Sequence, residues 1–248
     1  MSRSAILLGG VMLMALAGCS GEREADRRAG HDQQASSAPI DYASLKDFTK
    51  IAVTGPDNVI VTVGQPFAVK AEGEGKALAG LEITVADGEL RIGRREGWKN
   101  FWGGMGEGAT IHVSMPAIAA ARLTGSANVT IDRAEAPALE FQVTGSGDLK
   151  VGAVKAAAVT ADVTGSGNVE LRGAADSVKL SATGSGDIDA DDLKAGGGSI
   201  SVLGSGDVDL ASDGAIDIRI MGSGNVDVKG KAQCKVSAMG SGEARCGA

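Results

Sequence analysis

Apolar and polar residues alternate along the second half of the chain, in two short segments for every twenty residues or so. In one such period, Val169 and Leu171 flank Glu170, and Val178, Leu180 and Ala182 follow after a short gap. A strict period of two predicts strands that bury one face and expose the other to water.

A recurring turn separates these periods. Its seven copies are Gly125-Ser-Ala-Asn128, Gly145-Ser-Gly-Asp148, Gly165-Ser-Gly-Asn168, Gly184-Ser-Gly-Asp187, Gly204-Ser-Gly-Asp207, Gly222-Ser-Gly-Asn225 and Gly240-Ser-Gly-Glu243. Their first glycines are 20, 20, 19, 20, 18 and 18 residues apart. A constant spacing of this kind is typical of a stacked array. The sequence therefore predicts an all-β solenoid of 18–20 residues per coil, with two strands and two turns in each coil and equivalent strands paired in parallel.

Glycine suits a sharp corner because it adopts positive φ, and Asp or Asn at the fourth position can accept hydrogen bonds from nearby backbone amides. Glycine-aspartate repeats also bind Ca²⁺ in some β-rolls. Asp189, Asp209 and Asp227 form a second acidic column, which is either a weak cation site or a solvated face. We expect the turns to be structural, and we expect no cofactor.

Residues 41–124 alternate less regularly, for example at Ile51/Val53 and Val59/Val61/Val63, and a short helix is expected at about Glu74 to Gly80. We expect this half to continue the same sheets as residues 125–248, in one solenoid domain over 41–248. The turn at Gly55 looks like a degenerate copy of the later ones.

Residues 1–19 have the features of a lipoprotein signal peptide. Arg3 supplies the positive charge, the stretch from Ala5 to Ala17 is apolar but too short to span a bilayer permanently, and Leu16-Ala17-Gly18-Cys19 is similar to a lipobox. The sequence predicts acylation of Cys19. Since Ser20 rather than aspartate follows, it also predicts an outer-membrane location, and it does not determine on which side of that membrane the domain lies. Residues 20–40 are charged and aperiodic, which predicts a flexible tether.

Composition narrows the function further. The net charge of −7 argues against binding to nucleic acid. The carboxylates recur coil after coil, whereas a catalytic site gathers unlike groups at one place. His112 stands alone on a strand. We therefore expect no enzymatic activity.

Three features depart from the repeat. Trp98, Phe101 and Trp102 share a glycine-rich loop, where they either pack on the solenoid or form an exposed platform for glycan or protein. The residue before each turn is threonine four times and then Leu203, Met221 and Met239. If this position faces outward, the last coils carry an apolar interface, and if it faces inward, they do not.

The third departure concerns cysteines. Cys234 falls in the apolar column of Ile216, and Cys246 falls in that of Val228. Both side chains should therefore point into the last coil. In an oxidising envelope compartment we predict a Cys234–Cys246 disulfide that closes this end of the solenoid.

The segment Ile111-His-Val-Ser-Met-Pro116, followed by Ala121-Arg-Leu-Thr-Gly-Ser-Ala-Asn-Val129, resembles the putative auto-transporter adhesin head, GIN domain family. Leu81-Glu-Ile-Thr-Val85 and Gly88-Glu-Leu-Arg-Ile92 lie where that family has matching strands. The resemblance covers about Phe48 to the C-terminus. It implies a right-handed, single-stranded β-helix-like fold in envelope proteins, without an established enzymatic activity.

The sequence thus favours a non-catalytic outer-membrane lipoprotein, held by its lipid anchor, whose β-solenoid serves adhesion or contacts envelope protein or glycan. Two alternatives are a polysaccharide-active β-helix enzyme and a small-ligand or Ca²⁺-binding lipoprotein. The sequence identifies neither the partner nor the oligomeric state.

Overall fold

The structure is a computed structural model and describes residues 40–95 and 108–247. It contains one short helix, α1 (Gly75–Ala79). The strands are β1 (Ile40–Asp41), β2 (Lys50–Gly55), β3 (Asn58–Val63), β4 (Ala68–Glu72), β5 (Leu81–Ala86), β6 (Glu89–Arg94), β7 (Thr110–Met115), β8 (Ala120–Gly125), β9 (Asn128–Ile131), β10 (Ala134–Gly145), β11 (Asp148–Gly165), β12 (Val169–Gly184), β13 (Ile188–Ala195), β14 (Gly198–Gly204), β15 (Val208–Ser212), β16 (Ala215–Gly222), β17 (Val226–Lys229), β18 (Gln233–Gly240) and β19 (Ala244–Cys246).

The regular coils stack in parallel and in register, as the repeat predicts. The first glycine of each turn pairs with the first glycine of the next, from Gly125 through to Gly240. The β-solenoid is therefore confirmed. The described residues, 40–95 and 108–247, belong to one compact unit.

Columns of aliphatic side chains fill the interior. In one column Val143, Val163, Ala182, Val202 and Ile220 lie directly above one another, and all are buried.

A single aromatic side chain, Phe141, lies in the regular coils of the described chain. Its partners in the two adjacent coils are Ala121 and Ala161. Small residues above and below a large one keep the packing dense without pushing the coils apart.

The coils of β13 with β14, β15 with β16 and β17 with β18 contain two strands each, as expected. In earlier coils an additional paired segment joins the two, so that β11 and β12 are single long strands. The additional segment lies between the other two and includes Lys155 and Ala156, which pair with Glu135 and Ala136 in the preceding coil. It is rich in alanine, a residue small enough to occupy exposed and buried positions alike. Alternation of apolar and polar residues is therefore hard to detect there.

The N-terminal end departs from parallel stacking. β2 and β3 pair in parallel with β8 and β9 and so continue the solenoid. Beyond them, β4 pairs antiparallel with β7, β5 with β6, and β1 with β4. Helix α1 lies where the sequence predicts a helix, and it buries Leu78. These additions cover the N-terminal end of the core.

Six of the seven turns have two glycines, which are needed for different reasons. The first, such as Gly204, has φ near +133°, which other residues rarely adopt. The third turn residue, such as Gly206, is restricted by space, because a Cβ there would overlap the carbonyl oxygen of Gly186 in the preceding coil. The close stacking of the turns therefore selects this second glycine.

The fourth turn residue bonds to the next coil and not within its own turn. The Oδ1 atom of Asp187 accepts a hydrogen bond from the backbone N–H of Asp207 at 2.7 Å, and Oδ1 of Asp207 accepts one from the N–H of Asn225 at 2.6 Å. Asn168 and Asn225 accept in the same way from Asp187 and Glu243. The Asp/Asn column is thus a ladder of side-chain hydrogen bonds that joins the coils.

We predict that Gly206→Ala lowers the free energy of unfolding by about 1–3 kcal/mol, the usual cost of overpacking a dense site. Gly75→Ala is the matched control, because no atom lies within 4 Å of a Cβ placed there at the start of α1. Urea unfolding of both variants measures the difference. Equal stability of the two variants would contradict the role assigned to turn stacking.

Candidate functional site

Several residues singled out from the sequence lie outside the described residues. They are Cys19 with the rest of the signal peptide and tether, and the loop aromatics Trp98, Phe101 and Trp102. Their proposed roles remain predictions.

The side chains of Leu203, Met221 and Met239 face outward and form one continuous column. Leu203 pairs with Met221, and Met221 pairs with Met239, in three successive coils. Their exposed fractions are 48%, 54% and 67%. The alternative left open by the sequence, an inward-facing column, is excluded. We call these three residues the apolar column.

A groove of about 1000 Å³ runs along the additional segment across several coils. Small residues line its length, since Ala136, Ala156, Ala175, Ala195 and Ser212 pair successively from coil to coil. The shape suits an elongated ligand that lies parallel to the solenoid axis.

Charges along this groove alternate with the coils. On one edge, Lys155, Lys194 and Lys229 are separated by alanines in the intervening coils. The lysine backbones are therefore two coils apart, about 10 Å at the usual strand spacing. Asp176 and Asp213 lie on the groove in the intervening coils.

Two of these lysines have partners: Nζ of Lys155 lies 2.6 Å from Glu135, and Nζ of Lys229 lies 2.6 Å from Asp191. Within residues 40–95 and 108–247, Lys194 makes no ion pair. Our reasoning from sequence missed this groove, although a lysine at the same repeat position in every second coil was a detectable signal.

The acidic column stacks as expected, with Asp189 opposite Asp209 and Asp209 opposite Asp227. Burial raises the pKa of Asp209, and the carboxylates of Asp189 and Asp227 raise it further. In the described part of the chain, no three His, Cys, Asp or Glu side chains are placed to share a metal ion.

A buried ion pair holds the two chain segments that flank residues 96–107. Asp57 is 1% exposed and receives hydrogen bonds from the Arg94 guanidinium, including one from Nε at 2.6 Å. It also accepts the backbone N–H of Ala109 at 2.8 Å. Arg94 precedes the loop that carries Trp98, and Ala109 follows it. Asp57 therefore ties together the two chain segments on either side of residues 96–107.

Sequence reasoning identified the turn at Gly55 but not the role of Asp57. The available signal was an aspartate at the third turn position, which is Ala127 in the next coil and glycine in the later turns. Its partners Arg94 and Ala109 are 37 and 52 residues away, so no local pattern identifies them.

The last coil is closed on one side and open at its end. Cys234 and Cys246 lie at disulfide-bonding distance, with Cα atoms 6.3 Å apart, in the pairing predicted from the sequence. Val236 occupies the interior column above Ile218, yet it is 47% exposed whereas Ile218 is 1% exposed. No described residue covers this end of the core.

The remaining candidates for chemistry are weak. His112 is half-exposed, with Nε2 3.7 Å from a carboxylate oxygen of Glu72 on the neighbouring strand. Among the described residues, no helix is both long enough and apolar enough to cross a bilayer.

Comparison with known proteins identifies related folds. A family model described as "Putative auto-transporter adhesin, head GIN domain" matches residues 47–232. No curated protein matches the sequence.

Solved structures with the same fold include a "putative adhesin" from Bacteroides fragilis NCTC 9343, with a TM-score of 0.74 and 23% identity over 84% of this chain and 96% of that one. A "putative lipid binding protein" from Parabacteroides distasonis ATCC 8503 gives 0.66 and 19% over 84% and 96%. A "putative adhesin" from Parabacteroides merdae ATCC 43184 gives 0.66 and 15% over 84% and 95%. At these identities the likeness shows the fold alone.

We predict that Asp57→Ala lowers the free energy of unfolding by about 3–5 kcal/mol, because it leaves the Arg94 guanidinium buried without its carboxylate. The double variant Asp57→Ala/Arg94→Met should recover much of the loss, since no buried charge remains. Denaturant unfolding of the two single variants and the double variant measures the coupling. Additive losses in the double variant would show that the pair does not act as a unit.

Proposed function

We propose that this chain, which belongs to the "putative auto-transporter adhesin, head GIN domain" family, is a non-catalytic, lipid-anchored protein of the outer membrane. Its solenoid presents surfaces for adhesion and for contact with envelope proteins or glycans. The family and its structural neighbours carry adhesin names, which supports an envelope location and a binding role.

The observation that carries the binding role is the apolar column. Four earlier coils place threonine at the same position, so the fold does not require large apolar side chains there. The apolar column nevertheless places Leu203, Met221 and Met239 there in the last three coils. Large apolar side chains that remain exposed as a patch are typical of an interaction site. We assign the apolar column as the contact surface for a protein partner.

The groove supports the glycan part of the proposal. Its length along the axis suits a chain molecule, and Lys194 offers an unpaired charge among the described residues. Lysine and aspartate side chains supply donors and acceptors for hydroxyl and acidic groups of a saccharide. The groove and the apolar column lie on different segments of each coil, so the two surfaces can be tested separately.

The anchor rests on the residues Leu16-Ala17-Gly18-Cys19, since two or three acyl chains hold a protein firmly on a membrane. The apolar column and the groove would then be displayed by a protein that stays at the envelope. We propose no active site, because the groove brings together repeated lysines and aspartates and no nucleophile with a base.

We predict that the triple variant Leu203→Thr/Met221→Thr/Met239→Thr loses at least about a hundredfold in affinity for a protein captured from intact envelopes, since each buried apolar side chain contributes roughly 1.5–3 kcal/mol. Ile60→Thr is the control, because Ile60 is an exposed apolar residue of another strand (42%). Binding of purified protein to whole envelopes, with and without protease treatment of those envelopes, measures the effect.

A second arm of this experiment separates the two surfaces. Lys194→Glu should weaken retention on envelope polysaccharides and leave the protein contact unchanged, and Lys179→Glu on another segment is its charge-matched control. If all variants bind as the wild-type protein does, neither the apolar column nor the groove is a binding surface. Turnover of a polysaccharide that a single carboxylate substitution abolishes would favour the enzyme alternative.

We predict that Cys19→Ser moves the protein from the membrane fraction to the soluble fraction after cell lysis, because the thiol that carries the lipid is gone. Ser20→Ala should leave the protein in the membrane fraction. Incorporation of labelled fatty acid, followed by separation of inner and outer membranes on a density gradient, provides the measurement. Membrane retention of Cys19→Ser would contradict the lipid anchor.

A further inference from the structure

The C-terminal end of the solenoid has unpaired backbone edges among the described residues. β18 pairs only with β16, and β19 pairs only with β17. The N-terminal end, by contrast, is covered by the antiparallel strands. Exposed strand edges with apolar neighbours are a template for pairing with another chain.

This end also exposes core residues. Ala238 continues the interior column of Ile220, and Val236 continues that of Ile218, but both are exposed in the last coil. Covering them requires another layer with the same spacing. A further coil-like layer of apolar side chains meets that requirement.

The order of residues around the last coil defines a symmetry. The cysteines at 234 and 246 are joined across the coil, and the chain turns back at the corner between them. The cysteine pair places position 234 of β18 opposite position 246 of β19. Two residues from each cysteine toward the turn that joins these strands, Val236 lies opposite Ala244. One two-fold axis can therefore pass through Val236 in β18 and Ala244 in β19.

A second copy placed by this axis pairs antiparallel with the first along both strands. In β18, Val236 meets Val236 of the second copy, Cys234 meets Ala238, and Lys235 meets Ser237. The interior column thus stays apolar across the contact, and the outward lysine faces a neutral residue. Such self-complementary contacts are the commonest in homodimers.

The charges of β19 fit the same arrangement. With Ala244 on the axis, Glu243 faces Arg245 of the second copy, and Arg245 faces its Glu243. Within one chain these side chains are 3.7 Å apart and 77% and 71% exposed for Arg245 and Glu243. Opposite charges placed across antiparallel strands favour pairing, and like charges oppose it.

We infer that two copies of this chain associate end to end through β18 and β19 of the last coil, in antiparallel register about Val236 and Ala244. The inference does not rest on the proposed function: Met239 of the apolar column lies on β18, but Leu203, Met221 and the groove take no part in the contact, which is centred on Val236 and Ala244.

Sedimentation of residues 20–248, which lack the acylation site at Cys19 and so cannot associate through acyl chains, tests the inference. We expect a dimer in the micromolar range, as for a small interface. Glu243→Arg places arginine at both facing positions, so that position 243 of each copy repels Arg245 of the other. Arg245→Glu likewise places two negative charges opposite Glu243 of each copy. Each single variant should raise the dissociation constant at least about tenfold, because facing like charges is costly.

Mixing the two single variants should restore a dimer, because each copy then faces the opposite charge, and the double variant Glu243→Arg/Arg245→Glu should dimerise on its own. Recovery in the mixture also shows that both variants are folded. Met221→Thr is the control and should dimerise as the parent does. A monomeric parent, a dimer insensitive to either charge reversal, or a mixture that stays monomeric would overturn the inference.

Discussion

Backbone hydrogen bonding between successive coils is the constraint on which the rest of this structure depends. It requires each coil to repeat the path of the coil before it, so that glycine stacks on glycine and each aliphatic side chain lies on another. The turns then approach so closely that Gly206 has no space for a Cβ. The same stacking brings the oxygen of Asp187 to the amide of the next coil. Glycine content, the scarcity of aromatic residues and the Asp/Asn column all follow from this one spacing.

Because the spacing is periodic, much of the fold could be predicted from the sequence. The strands, the stacked turns and the column positions of Cys234 and Cys246 follow from residues that repeat at a fixed interval. The alanine-rich third segment was missed since alanine does not distinguish a buried from an exposed position. The antiparallel strands were missed because strand direction leaves no local pattern. Asp57 was missed because its partners come from distant segments.

The candidate surfaces show the same division. An outward column can be located from the repeat, but the sequence alone did not decide whether Met221 and Met239 face outward, since a corner residue can turn either way. The groove lies along the alanine-rich segment, where alternation gives no signal, and only the lysine in every second coil pointed to it. What the solenoid provides in both cases is a rigid support on which side chains from distant parts of the sequence, such as Lys155 and Lys229, align along one direction.

The disulfide in the last coil has a consequence for motion. In a stacked array, opening begins at a coil that has only one neighbour, and the coil of β18 and β19 is such a coil. Fraying would separate its strands from the coil beneath. The Cys234–Cys246 bond, with a sequence separation of 12, keeps the two strands joined to each other while that happens. The coil then detaches and returns as one closed ring, so its recovery needs no new loop closure.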